Sequence, residues 1–149
     1  MVSQQDGEPR HSVSVAAAIV DQAGRVLVAR RRDNGRWEPP GGVLELGESI
    51  TDGLRREVHE ETGLTVEPEA LTGVYKNLSR GIVALVFRCH PVEGAVAASD
   101  EADAFRWVWP EELTGLVAPA YAVRFTDALD YAGTTAVRTH DGTRVLAGI

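Results

Sequence analysis

Three glutamates, Glu57, Glu60 and Glu61, stand at i, i+3 and i+4 in a segment where Ile50, Leu54 and Val58 recur every fourth residue. On an α-helix this spacing projects all three carboxylates from one face, apart from a buried stripe formed by Ile50, Leu54 and Val58. Like charges so placed weaken a helix by roughly a few tenths of a kcal/mol per pair. A solvated acidic face is the plain reading. The neighbourhood supports another. Glu48 lies just upstream, on a loop carrying Gly41, Gly42 and Gly47. Four carboxylates within reach of one another make a hard-oxygen donor set, suited to Mg²⁺ or Mn²⁺ and not to zinc. Arg56, next to Glu57, offers a planar donor fork that orients a carboxylate. The glycines let backbone approach without side-chain clash.

These groups need an element to hold them. Ser49 with Asp52 three residues on forms a variant capping box, and Gly63 stops the helix as a C′ glycine, so a helix is predicted from Ser49 to Thr62. Upstream, Val13–Val20 is apolar on both faces and reads as a strand buried within a sheet. Asp21–Gly24 is a turn and Arg25–Arg31 a second strand, together predicting a hairpin. Asp33–Gly35 opens a loop whose prolines and glycines run through Trp37–Gly42. Downstream, Leu71–Leu78, Ile82–His90 and Ala104–Trp109 read as strands, Glu111–Leu113 as a short helical piece and Ala120–Tyr131 as a longer helix. Thr135–Thr139 and Thr143–Ala147 flank Asp141-Gly142, a strong hairpin signal. The expectation is one mixed α/β (α+β) domain with a C-terminal β-hairpin. The division is a tail over 1–12, a main domain over 13–132 and the hairpin extension over 133–149.

The 149 residues suffice for one domain with its own core, and 44% hydrophobic with 25% charged residues is ordinary globular composition. Net charge is −7, which disfavours stable binding to nucleic acid. The charge is segregated: Arg30, Arg31, Arg32 and Arg36 precede an acid-rich stretch from Glu38 to Glu61, a layout fitting a small phosphorylated ligand bridged by metal. Arg31 shares a strand face with Leu27 and Ala29 and is the preferred phosphate contact of the four. The polar N-terminus has no signal-peptide pattern, and no apolar run approaches the roughly 20 residues that span a bilayer. The lone Cys89 forms no internal disulfide, which points to a reducing cytoplasm. Trp107, Trp109, Tyr75 and Cys89 are read as packing residues and His59 as exposed.

Trp37 to Leu64, WEPPGGVLELGESITDGLRREVHEETGL, resembles the Nudix box with its lead-in. Gly42, Glu48, Arg56, Glu57, Val58, Glu60, Glu61, Gly63 and Leu64 fall on the pattern without a gap. Seven of these positions demand one residue type each, and at roughly 6–7% usage chance agreement is about one window in 10⁸. Segments around Val26–Arg31 and Phe105–Leu113 are similar to flanks of MutT-type members, so the likeness spans roughly residues 13–132. Two positions depart: Pro39 replaces a usual leucine, and Gly53 a usual alanine, costing the helix about 1 kcal/mol.

The resemblance implies an α/β/α sandwich with a mixed sheet and metal-dependent hydrolysis of a phosphoanhydride in a nucleoside diphosphate linked to another group. It assigns Mg²⁺ (or Mn²⁺) to Glu57, Glu60 and Glu61 with Glu48 in support, and Arg56 to locking Glu57; the residues themselves mark Gly41, Gly42 and Arg31 for substrate contact. Glu61 and Glu101 are alternative general bases. A nucleoside triphosphate is the default substrate. ADP-ribose or another nucleotide sugar and a dinucleoside polyphosphate stand as alternatives, and a non-catalytic nucleotide sensor as the other class. The hairpin is expected either to cover the substrate pocket or to form a homodimer interface.

Overall fold

The computed structural model describes residues 8–149, so the first seven residues of the expected tail lie outside it. Strand β1 (Ser12–Ile19) sits within a six-stranded mixed sheet, ordered β4 (Gly41–Val43), β1, β6 (Ile82–Glu93), β5 (Thr65–Asn77), β8 (Ala136–His140) and β9 (Val145–Gly148). β1 runs parallel to β6 and β5 parallel to β8; the remaining pairs are antiparallel. A smaller antiparallel sheet joins β3 (Trp37–Glu38), β2 (Val26–Arg31) and β7 (Ala102–Val108).

The doubly apolar reading of β1 explains the layers. Val15, Ala17 and Ile19 pack on one side with Leu54 and Val58 of helix α1 (Ile50–Thr62). Ala16 and Ala18 pack on the other with Phe125 and Ala128 of α2 (Pro119–Leu129). Alternation along one strand thus serves two cores, giving the expected helix–sheet–helix arrangement. Trp107 packs on the α1 side. Cys89 and Tyr75 are fully enclosed.

Several expectations are corrected. The turn at Asp21–Gly24 exists, with Asp21 N–H donating to Arg25 O at 2.9 Å, yet β1 and β2 share one bridge, Val20 with Val26, and then part into different sheets. Each finds other partners: β1 lies between β4 and β6, β2 between β3 and β7. Ile50, the first residue of α1, is 43% exposed and stands outside the buried stripe of Leu54 and Val58. Trp109 is 45% exposed, since β7 ends at Val108 and a 3₁₀ turn over Pro110–Glu112 breaks the alternation. β5 begins at Thr65, well before Leu71, accommodating Pro68 where the ladder is irregular. Gly53 serves a purpose: a Cβ there would meet Leu44 and stand 2.7 Å from Glu48 Oε2. The C-terminal hairpin forms, and β8 extends the sheet along Gly73–Asn77 of β5.

Candidate active site

Helix α1 is pinned at both ends. Ser49 Oγ accepts the Asp52 N–H at 3.2 Å, and Gly63, at φ 84°, donates its N–H to His59 O at 2.9 Å. The phase so fixed turns Glu57 and Glu61 towards β4, where only 7% and 8% of each residue stays exposed. Gly41 donates its N–H to Glu61 Oε1 at 3.3 Å. A Cβ on Gly42 would overlap the Glu57 carboxylate, and one on Gly41 would overlap the backbone of β1. The two glycines therefore let strand and carboxylates meet.

Arg56 organises the outer acids. Its Nε and Nη2 grip Glu48 Oε1 and Oε2 at 2.8 and 2.7 Å, while Nη1 reaches Glu57 Oε1 at 2.9 Å and Glu60 Oε1 at 3.2 Å. Glu48 also accepts the Glu45 N–H at 2.8 Å. The guanidinium and that N–H hold the Glu48 carboxyl down at about 2. Glu60 stays at the rim, its side chain 54% exposed.

The inner pair is electrostatically different. Burial raises the Glu57 carboxyl pKa against the pull of Arg56, with Glu101 and Glu60 adding repulsion. Burial pushes Glu61 up to about 8; the Gly41 N–H opposes this, while the charges of Glu101 and Glu57 reinforce it. Glu101 precedes β7 and is held by Arg32 N–H donating to its carbonyl at 3.0 Å. It lines the main cleft with Glu57 and a side pocket with Glu61 and Arg31.

The cleft has a volume of about 780 Å³. Glu57 and Glu101 contribute carboxylates beside the Gly41–Gly42 backbone, while Arg31, Arg36 and Arg80 contribute cations. Arg31 forks onto Asp33 at 2.9 and 2.6 Å. Arg30 instead pairs with Asp103 at 2.7 Å, and Arg32 donates to Ser99 O at 2.7 Å. Tyr75 packs, its hydroxyl donating to Asp127 Oδ2 at 2.7 Å, and is no stacking platform. Sequence reasoning missed Tyr121, Arg124 and the turn Asp141–Thr143, which adjoin the same space. One signal was available: Arg124 is a charge on the otherwise apolar stripe Ala120, Arg124, Ala128.

Among the described residues, no three acidic, histidine or cysteine side chains form a ready-made cation cage. The donor chemistry nonetheless fits a hard divalent ion. Glu61 is buried with one long N–H contact, and Glu57 shares a single guanidinium with three other acids, Glu45, Glu48 and Glu60. Buried carboxylates so poorly compensated are stabilised by a cation.

The NUDIX domain model matches residues 10–128, and the chain belongs to the Nudix family. It is a Nudix hydrolase. A MutT-like protein of Streptomyces ambofaciens is 55% identical over 138 residues, covering 93% of this chain and 89% of the relative. The human 8-oxo-dGDP phosphatase NUDT18 is 40% identical over 93 residues, covering 60% of this chain but 28% of its own length. The crystal structure of a MutT protein from Methanosarcina mazei Go1 superposes with TM-score 0.69 at 32% identity, covering 83% of this chain and 99% of that one. No described helix is long and apolar enough to cross a membrane.

Proposed function

We propose that this chain hydrolyses a phosphoanhydride bond of a nucleoside triphosphate, using Mg²⁺ or Mn²⁺ held by Glu57, Glu60 and Glu61. The observation that carries the reading is the meeting of opposite chemistries in one cleft. Under-compensated carboxylates Glu57 and Glu61 and the cations Arg31 and Arg36 line the cleft and the pockets adjoining it. When bound, the cation supplies positive charge to phosphate oxygens and favours attack by water. Arg31 adds a fixed charge, and the Gly41–Gly42 backbone leaves room for the phosphates.

Glu48 acts at one remove. Both its oxygens are taken by Arg56, so it positions Arg56, which in turn orients Glu57. In hydrolysis, water adds to phosphorus, the bridging P–O bond breaks, and the water's proton passes to a carboxylate. Glu61 and Glu101 are the two candidates. Burial raises the Glu61 pKa to about 8. The net charge of −7 fits a free nucleotide better than a long polyanion, and a cytoplasmic setting supplies such nucleotides.

The test is a panel of nucleoside triphosphates, nucleotide sugars including ADP-ribose, and dinucleoside polyphosphates, incubated with and without Mg²⁺. Products are identified by mass spectrometry. Mg²⁺-dependent cleavage of a triphosphate supports the reading; cleavage confined to the other classes, or none, contradicts it.

A further inference from the structure

Two arginines line the main cleft in opposite circumstances. Arg36 donates Nη2–H to Gly142 O at 3.1 Å and lies 5.5 Å from the Tyr121 ring centroid. Neither a carbonyl nor a ring cancels its charge. Arg31 is compensated. Its Nε and Nη2 fork onto the two oxygens of Asp33 at 2.9 and 2.6 Å, and its Nη1 stands 3.9 Å from Glu38.

The turn between β2 and β3 builds this pair. Arg31 N–H donates to Arg36 O and Gly35 N–H to Arg31 O, each at 2.9 Å. Residues 32–35 are thereby closed into a tight loop that brings Asp33 back onto Arg31. The Arg31 guanidinium holds the Asp33 carboxyl below its usual range. Arg31 borders both the main cleft and the side pocket of about 360 Å³, whereas Asp33 borders the side pocket and not the main cleft.

The pair is open to exchange. Side-chain exposure is 48% for Arg31 and 61% for Asp33, and ion pairs so exposed are worth little because water and salt screen them. The Arg56–Glu48 pair, at 24% and 15%, is far better enclosed. A phosphate presents the same two-oxygen edge to an arginine fork as a carboxylate does, with more charge behind it.

We propose that Asp33 is a positioning residue that occupies the Arg31 fork until a substrate phosphate displaces it, and so weakens phosphate binding in this cleft. The inference rests on the reading of Arg31 as a phosphate contact. Binding is then an exchange: the phosphate gains two charge-assisted hydrogen bonds and Asp33 returns to water. When product departs, Asp33 closes on the fork again, which lowers affinity and favours release.

The test is calorimetric titration of the full chain with imidodiphosphate in the presence of Mg²⁺. The P–N–P link of this probe leaves no phosphoanhydride to cleave, so binding is read without turnover. Asp33→Asn is expected to bind it about 5-fold more tightly than the wild type, the upper range for an exposed ion pair. Asp100→Asn removes another exposed acid of the same side pocket and should gain less than about 2-fold, the effect of net charge alone. In an Arg31→Gln background, Asp33→Asn should also gain less than about 2-fold. A gain that is absent from Asp33→Asn, matched by Asp100→Asn or undiminished without Arg31 overturns the proposal, as does no measurable binding by wild type and Asp33→Asn alike. The underlying reading is separable: if Arg31→Gln by itself leaves the affinity unchanged, Arg31 is no phosphate contact. Weakening in Arg31→Gln with no gain in Asp33→Asn overturns the Asp33 assignment alone.

Discussion

Glu48 and Glu61 belong to one acidic constellation but occupy opposite electrostatic situations. Both Glu48 oxygens are gripped by Arg56, and its carboxyl is held near 2. Glu61 receives one N–H at 3.3 Å, and burial lifts it to about 8. Glu57 stands between them, one oxygen on Arg56 and the other against Gly42. A carboxylate already satisfied by the protein is scaffold. One that the fold buries without adequate partners is available for chemistry. Residue type does not separate the two; the partners do.

Breaking the inner pair should have the largest effect. Glu57→Gln or Glu61→Gln is expected to lower turnover by at least ~10²-fold with the fold retained, as seen by circular dichroism and melting. Near-normal activity of both would remove them from the site. Glu48→Gln should cost less, about 10-fold, because it loosens Arg56 without removing an inner carboxylate. A loss as large as that of Glu61→Gln would erase the distinction between scaffold and site.

A pH titration of stability sharpens the comparison further. The Glu61 pKa is raised in the folded state, from 4.5 to about 8. The folded chain therefore holds a proton that the unfolded chain releases. That contribution is full below about pH 4.5 and is lost as pH rises through about 8. Metal-free protein should lose melting temperature across this window, and Glu61→Gln should flatten the loss. An unchanged slope in that variant would contradict the assignment. The smallest effect concerns Gly53→Ala. Helix propensity alone favours alanine by about 1 kcal/mol, but the new Cβ would press on Glu48 and Leu44. No rise in melting temperature is expected, and a clear rise would show that this close approach is unimportant.

What sequence revealed was mostly local. The caps at Ser49 and Gly63 fix the phase of α1 over a few residues, so the turning of Glu57 and Glu61 to one side follows from spacing. The two-sided burial of β1 is likewise written in its uninterrupted apolar run. Failures came where distant partners decide. Nothing near Asp21–Gly24 says that β2 prefers β3 and β7 to β1. Trp109 keeps the strand period in sequence, yet the backbone has already turned. The division of labour among Glu48, Glu60 and Glu61 depends on where one long guanidinium reaches. The surroundings of Arg124 are assembled from Glu38 of β3, Tyr121 of α2 and His140 of β8, far apart in the chain.

The most direct measurement is Mn²⁺ binding, followed by electron paramagnetic resonance, in the wild type and in Glu48→Gln, Glu57→Gln and Glu61→Gln. Binding that survives Glu48→Gln but weakens at least about 10-fold in both inner variants is the predicted result. Equal binding in all four proteins, or loss confined to Glu48→Gln, would contradict the cation site.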